Sequence, residues 1–220
     1  MKMEMLINLY QSNQKPAMLR PMTVWILVFS FFVFFVTEGK VSGHAHVWIH
    51  NAVIVHFDKD GMAGFKQEWV FDEMFSNMII HDFDKNHNGD FESSEVEEVF
   101  KGAFSNLKKF HYFTHVKING KKFVVKFVKD FNAKIVKNRI VYHFFVPCHV
   151  KATTSFKEIR IGIYDNSFYT NVTLLKDQVL FENDTGYEHR HNVELNKNEP
   201  YYYGQVYPEE IVLKFRKNNE

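Results

Sequence analysis

Residues 44–71 read HAHVWIHNAVIVHFDKDGMAGFKQEWVF, and this stretch decides the fold. From His44 to Phe57 the side chains alternate. Val47, Ile49, Val53 and Val55 share one parity, and His44, His46, Trp48, His50, Ile54 and His56 share the other. A period of two places these sets on opposite faces of a strand. Asp58-Lys59-Asp60-Gly61 is a hairpin signal. Phe65 to Phe71 then reads as the return strand, with Phe65, Trp69 and Phe71 on one side. The chain therefore opens its globular part with an antiparallel pair.

Downstream the period changes. Phe71, Phe75, Met78 and Ile79, and after a polar break Val96, Val99, Phe100, Ala103, Leu107 and Phe110, recur at helical spacing. Asp72 and Glu73 stand where carboxylates suit a helix N-terminus. Strand signals then run to the end: Tyr112–Ile118, the turn dipeptide Asn119-Gly120, Lys122–Val128, Ala133–Val136, Arg139–Val146, Glu158–Ile163, Tyr169–Leu174, Val193–Leu195 and Ile211–Phe215. Short strands at such spacing predict an α+β chain, mostly a β-sandwich-like domain, with an inserted helix–loop–helix at about residues 72–110. With 220 residues and 24 phenylalanines, one such domain can bury a sizeable aromatic core.

Between the two helical segments lies Asp84-Lys85-Asn86-His87-Asn88-Gly89-Asp90-Phe91-Glu92-Ser93-Ser94-Glu95, which fits the twelve-residue EF-hand loop. Asp84, Asn86 and Asn88 occupy positions one, three and five, and Gly89 the sharp turn at six. Asp90 offers its carbonyl at seven, Glu92 acts through water at nine, and Glu95 supplies the bidentate carboxylate at twelve. Hard oxygen donors in this order suit Ca²⁺. Sensor EF-hands come in pairs, so a single loop points to a structural ion.

Upstream, Val24–Val36 reads VWILVFSFFVFFV, without a charge, after Arg20 and before Val41-Ser42-Gly43. A positive flank, a short apolar run and a small-residue exit predict a signal peptide over residues 1–43 and a single periplasmic domain over 44–220. An uncleaved membrane anchor is the alternative. Cleavage after Gly43 would make His44 the new terminus. Its amine, a backbone nitrogen and the His46 ring then form a nitrogen-rich set suited to square-planar Cu²⁺ or Ni²⁺; His189 or His191 could join it, and imidazole ligands also suit Zn²⁺. For His56, His81, His87, His111, His115, His143 and His149 a surface or hydrogen-bonded role is expected.

Composition removes other classes. There are 27 basic and 26 acidic residues, so a nucleic-acid partner is not expected. One cysteine, Cys148, allows neither an intrachain disulfide nor a thiolate cage. No GxSxG, P-loop or GxGxxG occurs, and no catalytic residues are assigned.

The run His44-Ala45-His46-Val47-Trp48-Ile49, then Phe57-Asp58, Trp69-Val70-Phe71-Asp72-Glu73, the Asp84–Glu95 loop, Val128-Lys129-Asp130-Phe131, Ile163-Tyr164-Asp165 and Gly204-Gln205-Val206 resemble the bacterial family called domain of unknown function 1007. The resemblance implies a periplasmic component of an ABC-type or related uptake system for nickel, cobalt or zinc, with an inner-membrane metal transporter as partner. The chain departs from the family pattern in carrying Ala45 where proline is usual, and His50 where aspartate is usual. A calcium-stabilised adaptor domain, or a copper-dependent redox enzyme using a terminal histidine, are the alternative functions.

Overall fold

A computed structural model describes residues 45–218; the apolar run, the signal-peptide boundary and His44 lie outside the described residues. Alternation in the opening stretch produces the expected pair. Strand β1 (Val47–Phe57) and strand β2 (Gly61–Phe71) run antiparallel. Val53 and Val55 are wholly buried, whereas His46, Trp48 and His50 face outward. Asn51 falls on the buried parity too, and is wholly enclosed.

The remaining strands are β3 (Thr114–Ile118), β4 (Lys121–Phe123), β5 (Lys129–Val136), β6 (Arg139–Lys151), β7 (Lys157–Ile163), β8 (Thr170–Glu182), β9 (Tyr187–Leu195) and β10 (Glu209–Lys217). They form two five-stranded sheets, ordered β5-β6-β2-β1-β8 and β4-β3-β7-β10-β9. Every pairing is antiparallel except β1 with β8. The chain is thus mostly β, with a smaller helical part, in keeping with the expected α+β class.

One apolar cluster draws on both sheets: Val55, Phe65, Trp69 and Phe144 from the first, Val116, Ile161, Leu213 and Phe215 from the second. Phe57 meets Phe215 edge-on, ring centroids 5.2 Å apart. A polar tie crosses the same interior. The Trp69 indole N–H donates to Gln67 Oε1 at 2.8 Å, the Gln67 amide donates to Thr114 Oγ1 at 2.9 Å, and Thr114 donates to the Tyr112 carbonyl at 2.8 Å. Each buried donor here finds an acceptor, which keeps burial of these groups from being costly. Cys148 is fully buried, and burial pushes its thiol up to about 12, so it is an inert core residue.

The inserted segment comprises α1 (Glu73–Phe83), α2 (Ser93–Gly102) and a 3₁₀ segment (Phe104–Phe113). The Asp72 carboxylate caps α1 by accepting from the Phe75 amide at 2.9 Å, and its other oxygen accepts from the Trp48 amide at 2.8 Å, tying the helix to β1. The second helical stretch differs from its expected continuous form. It stops at Gly102, because Phe104 turns inward to stack on Phe131 at 4.2 Å and to pack on Phe144 at 5.0 Å. His111, Tyr112 and Phe113 all take positive φ near 54°, a region unfavourable for bulky residues, before β3 begins. The expected strand Lys122–Val128 shortens to β4; beyond it the Val125 carbonyl lies 3.1 Å from His111 Nδ1.

Candidate cation loop and histidine clusters

The loop between α1 and α2 folds on its own donors. Gly89 takes φ +80° at the sharp turn, a conformation glycine reaches without steric cost. Asp84 Oδ1 accepts from the Asn88 amide at 3.2 Å and its Oδ2 from the Gly89 amide at 3.0 Å. The Asn86 and Asn88 side-chain oxygens each accept from the backbone two residues on, at 2.9 Å. Glu95 closes the ring: its Oε1 accepts from the Lys85 amide at 2.8 Å and its Oε2 from the Glu92 amide at 3.0 Å. Phe91 inserts into the apolar cluster, so the loop is anchored to the core.

Asp84 is 3 % exposed and Glu95 5 %. Neither these two nor Asp90 and Glu92 pairs with a Lys or Arg among the described residues. Each hydrogen bond uses only one of the lone-pair directions on its carboxylate oxygen. Buried carboxylates with spare acceptor capacity and no counter-charge are the chemistry of a hard-cation site, and the donor set fits Ca²⁺. The spacing predicted from sequence is therefore accompanied by converging backbone and burial.

The histidines divide. His46 is exposed at the start of β1 and stacks on Tyr169, centroids 4.9 Å apart. His50 stands on the same outward face, paired with Val70 and Thr173. His189 and His191 share a face of β9, as expected, and both rings lie against Phe181, at 4.2 and 4.9 Å. His189 also stacks on Phe57 at 6.0 Å, at the far end of β1 from His46. Ten residues of strand at ~3.3 Å each put the two ends roughly 33 Å apart. His46 therefore does not meet His189 or His191; of the four histidines expected from sequence to share a metal, His44 lies outside the described residues.

His189 Nε2 bonds Asp184 Oδ2 at 2.6 Å, and its Nδ1 is buried without a partner among the described residues. The His189 bond holds the Asp184 carboxyl below its usual range. Burial lowers the His191 pKa, and the neighbouring His189 lowers it further. Most of the other histidines behave as expected: His56 bonds Glu182 at 3.0 Å, His143 bonds Glu68 at 2.8 Å, and His115 Nε2 lies 3.1 Å from the Tyr164 carbonyl.

One grouping had no sequence signal. Asp58 and Asp60, which sequence reads only as a turn, meet His149, and one ligand atom from each lies within 4.8 Å of the others. The contact arises because β6 pairs with β2 across Gly61 and Lys151. Two of the three residues are exposed, and Asp58 Oδ1 already accepts from the Asp60 and Gly61 amides at 2.8 and 3.0 Å. Among the described residues no helix is long and apolar enough to cross a membrane.

Comparison with known proteins gives a consistent picture. A protein of Spirochaeta aurantia, described as "Uncharacterized 15.5 kDa protein in trpE 3'region", is 31% identical over 131 residues, covering 59% of this chain and 93% of its own length. Residues 29–207 match the family described as "Protein of unknown function (DUF1007)". With most of its length inside that match, the chain belongs to this family.

Proposed function

We propose that the protein is an exported divalent-cation-handling protein in which the Asp84–Glu95 helix–loop–helix is an EF-hand holding one structural Ca²⁺. The observation that carries this reading is the near-complete burial of the Asp84 and Glu95 carboxylates without a basic partner among the described residues. A bound cation neutralises them and fixes the angle between α1 and α2, both of which pack on the aromatic core. The residues that would hold it are Asp84, Asn86, Asn88, Asp90 through its carbonyl, Glu92 through water, and Glu95.

Calcium titration by calorimetry, together with thermal melting, tests this. At a calcium level about 100 times Kd the ion stabilises by about 2.7 kcal/mol, or roughly 5–10 °C in Tm for a chain of this size. Extracellular modules bind at about 10⁻⁴–10⁻³ M, so about 10 mM calcium is enough to see a shift. Wild-type protein that neither binds nor melts higher in calcium refutes the reading.

A second reading concerns transition metals. His46, with His44 at a freed terminus, would take up Ni²⁺, Zn²⁺ or Cu²⁺ for an inner-membrane transporter, with export resting on the apolar run Val24–Val36. What favours it is the outward exposure of His46 and His50 on one strand face. His189, oriented by Asp184 in the manner of a metal-ligating imidazole, and His191 form a separate candidate pair. Sequencing the amino terminus of the exported protein and measuring its metal content test both parts. A terminus elsewhere than His44 removes the amine ligand.

A further inference from the structure

We propose that the cavity walled by α1, the 3₁₀ segment and the inner face of the first sheet binds a small uncharged amphipathic molecule: an apolar body with one hydrogen-bond acceptor, such as an alcohol, ketone or ester. This proposal stands apart from the calcium reading. The cavity measures about 640 Å³, within the range of small-molecule sites, and is lined mostly by aromatic and aliphatic side chains, Trp69 and Phe104 among them. Met78, Phe110 and Tyr169 belong to the lining and are each about half exposed, so large apolar groups surround its opening instead of being withdrawn into the core.

Two observations define the occupant. Tyr142, 2 % exposed, belongs to the lining, and its hydroxyl has no hydrogen-bond partner among the described residues. Burial raises the phenol's pKa, so the hydroxyl stays protonated and is a donor in need of an acceptor. An unpaired buried hydroxyl is unfavourable, and a ligand acceptor relieves it. The second observation is charge. Among the described residues the lining contains no Lys, Arg or His, and its charged members are Asp82 and Asp165. The Asp165 oxygens already accept from the Ser167 hydroxyl and the Thr170 amide, at 2.8 and 3.1 Å. An anionic head group would meet carboxylates and no counter-charge, so fatty-acid-like molecules are disfavoured.

The test uses 1-octanol and octanoate as probes on the full chain, read by calorimetry and by fluorescence of the cavity-lining Trp69. Saturable binding of 1-octanol is expected, with octanoate at least ~10-fold weaker. Tyr142→Phe should weaken 1-octanol about 5–10-fold, the loss of one hydrogen bond, while leaving the ligand-free protein as stable as wild type or more so. Met78→Trp, at a half-exposed position that tolerates bulk, should block binding by filling the entrance; Leu107→Trp should do so from the facing wall. Failure of 1-octanol to saturate overturns the proposal, as does equal affinity for octanoate. A Tyr142→Phe protein that binds unchanged, or that melts lower without ligand, also overturns it, since the hydroxyl would then be satisfied otherwise.

Discussion

The Asp84–Glu95 loop and the β9 histidines are built from equally metal-competent side chains, yet the fold treats them oppositely. In the loop, the buried Asp84 and Glu95 carboxylates receive only backbone N–H donors, one per oxygen. Acceptor capacity remains, and no basic side chain among the described residues takes it up. On β9, the His189 ring is held in place: one nitrogen bonds Asp184, the ring faces lie on Phe57 and Phe181, and only the buried Nδ1 is left without a partner among the described residues. Residue type names a possible ligand, but the other contacts of that residue decide whether it is open to an ion.

The sharpest way to break this contrast is to remove one loop carboxylate. Glu95→Gln should abolish most of the calcium-dependent rise in Tm, roughly 5–10 °C in the wild type, while changing the calcium-free Tm much less. Equal calcium shifts in wild type and variant would make the loop a mere connector. The β9 side predicts the reverse pattern. His189→Ala should cost about 1–3 kcal/mol through lost aromatic packing and an abandoned Asp184 bond, measured by urea unfolding. His46→Ala, at an exposed position, should fall within about 0.5 kcal/mol. If His46→Ala instead destabilises while His189→Ala is silent, the division between open and satisfied histidines is wrong. A smaller effect belongs to the cavity: Tyr142→Phe should raise the ligand-free stability by about 1 kcal/mol, by deleting an unpaired buried hydroxyl.

These differences also explain what could be read from sequence. The loop is local: twelve consecutive residues carry the ligand order, and the positive φ of Gly89 follows from its place in that order. The β1–β2 hairpin, the helical insertion and the turn at Asn119-Gly120, with φ of 48° and 77°, are local as well. What escaped was set by pairing between distant strands. Asp58 meets His149 only because β2 lies beside β6. The separation of His46 from His189 depends on β8 running the length of β1, with Tyr169 at the His46 end and Phe181 at the other end, against His189 of β9. Asn51 belongs by parity to the buried face, and both its amide atoms are unpartnered there among the described residues. Alternation shows where such a side chain points, and says nothing of whether it finds a partner. The cavity is the extreme case, since it gathers residues from several strands, a helix and the 3₁₀ segment.

The same division can be sharpened by pH, through a histidine that is satisfied while neutral. His115 stacks on Tyr164, centroids 3.9 Å apart, with Nε2 near the Tyr164 carbonyl. Burial, aided by the nearby Lys122 and His111 charges, holds its pKa below the ordinary 6.5, against the opposing pull of the Tyr164 carbonyl and Glu199. The unfolded chain therefore binds a proton at higher pH than the folded one, so stability falls as pH drops below 6.5 and levels off beneath the folded pKa. His191, shifted the same way, adds to this window. Glu182, held low chiefly by Lys66 and then His56, and Asp184, held low by His189, act at lower pH: their contribution is full above the ordinary carboxylate pKa and fades with further acidification. Denaturant melts between pH 7 and pH 5 should show the first decline, and His115→Gln, whose amide can still donate to the Tyr164 carbonyl, should flatten it. A slope unchanged by that substitution would move the neutral-histidine role away from His115 and onto His191 of β9, whose pKa is lowered by burial and by His189.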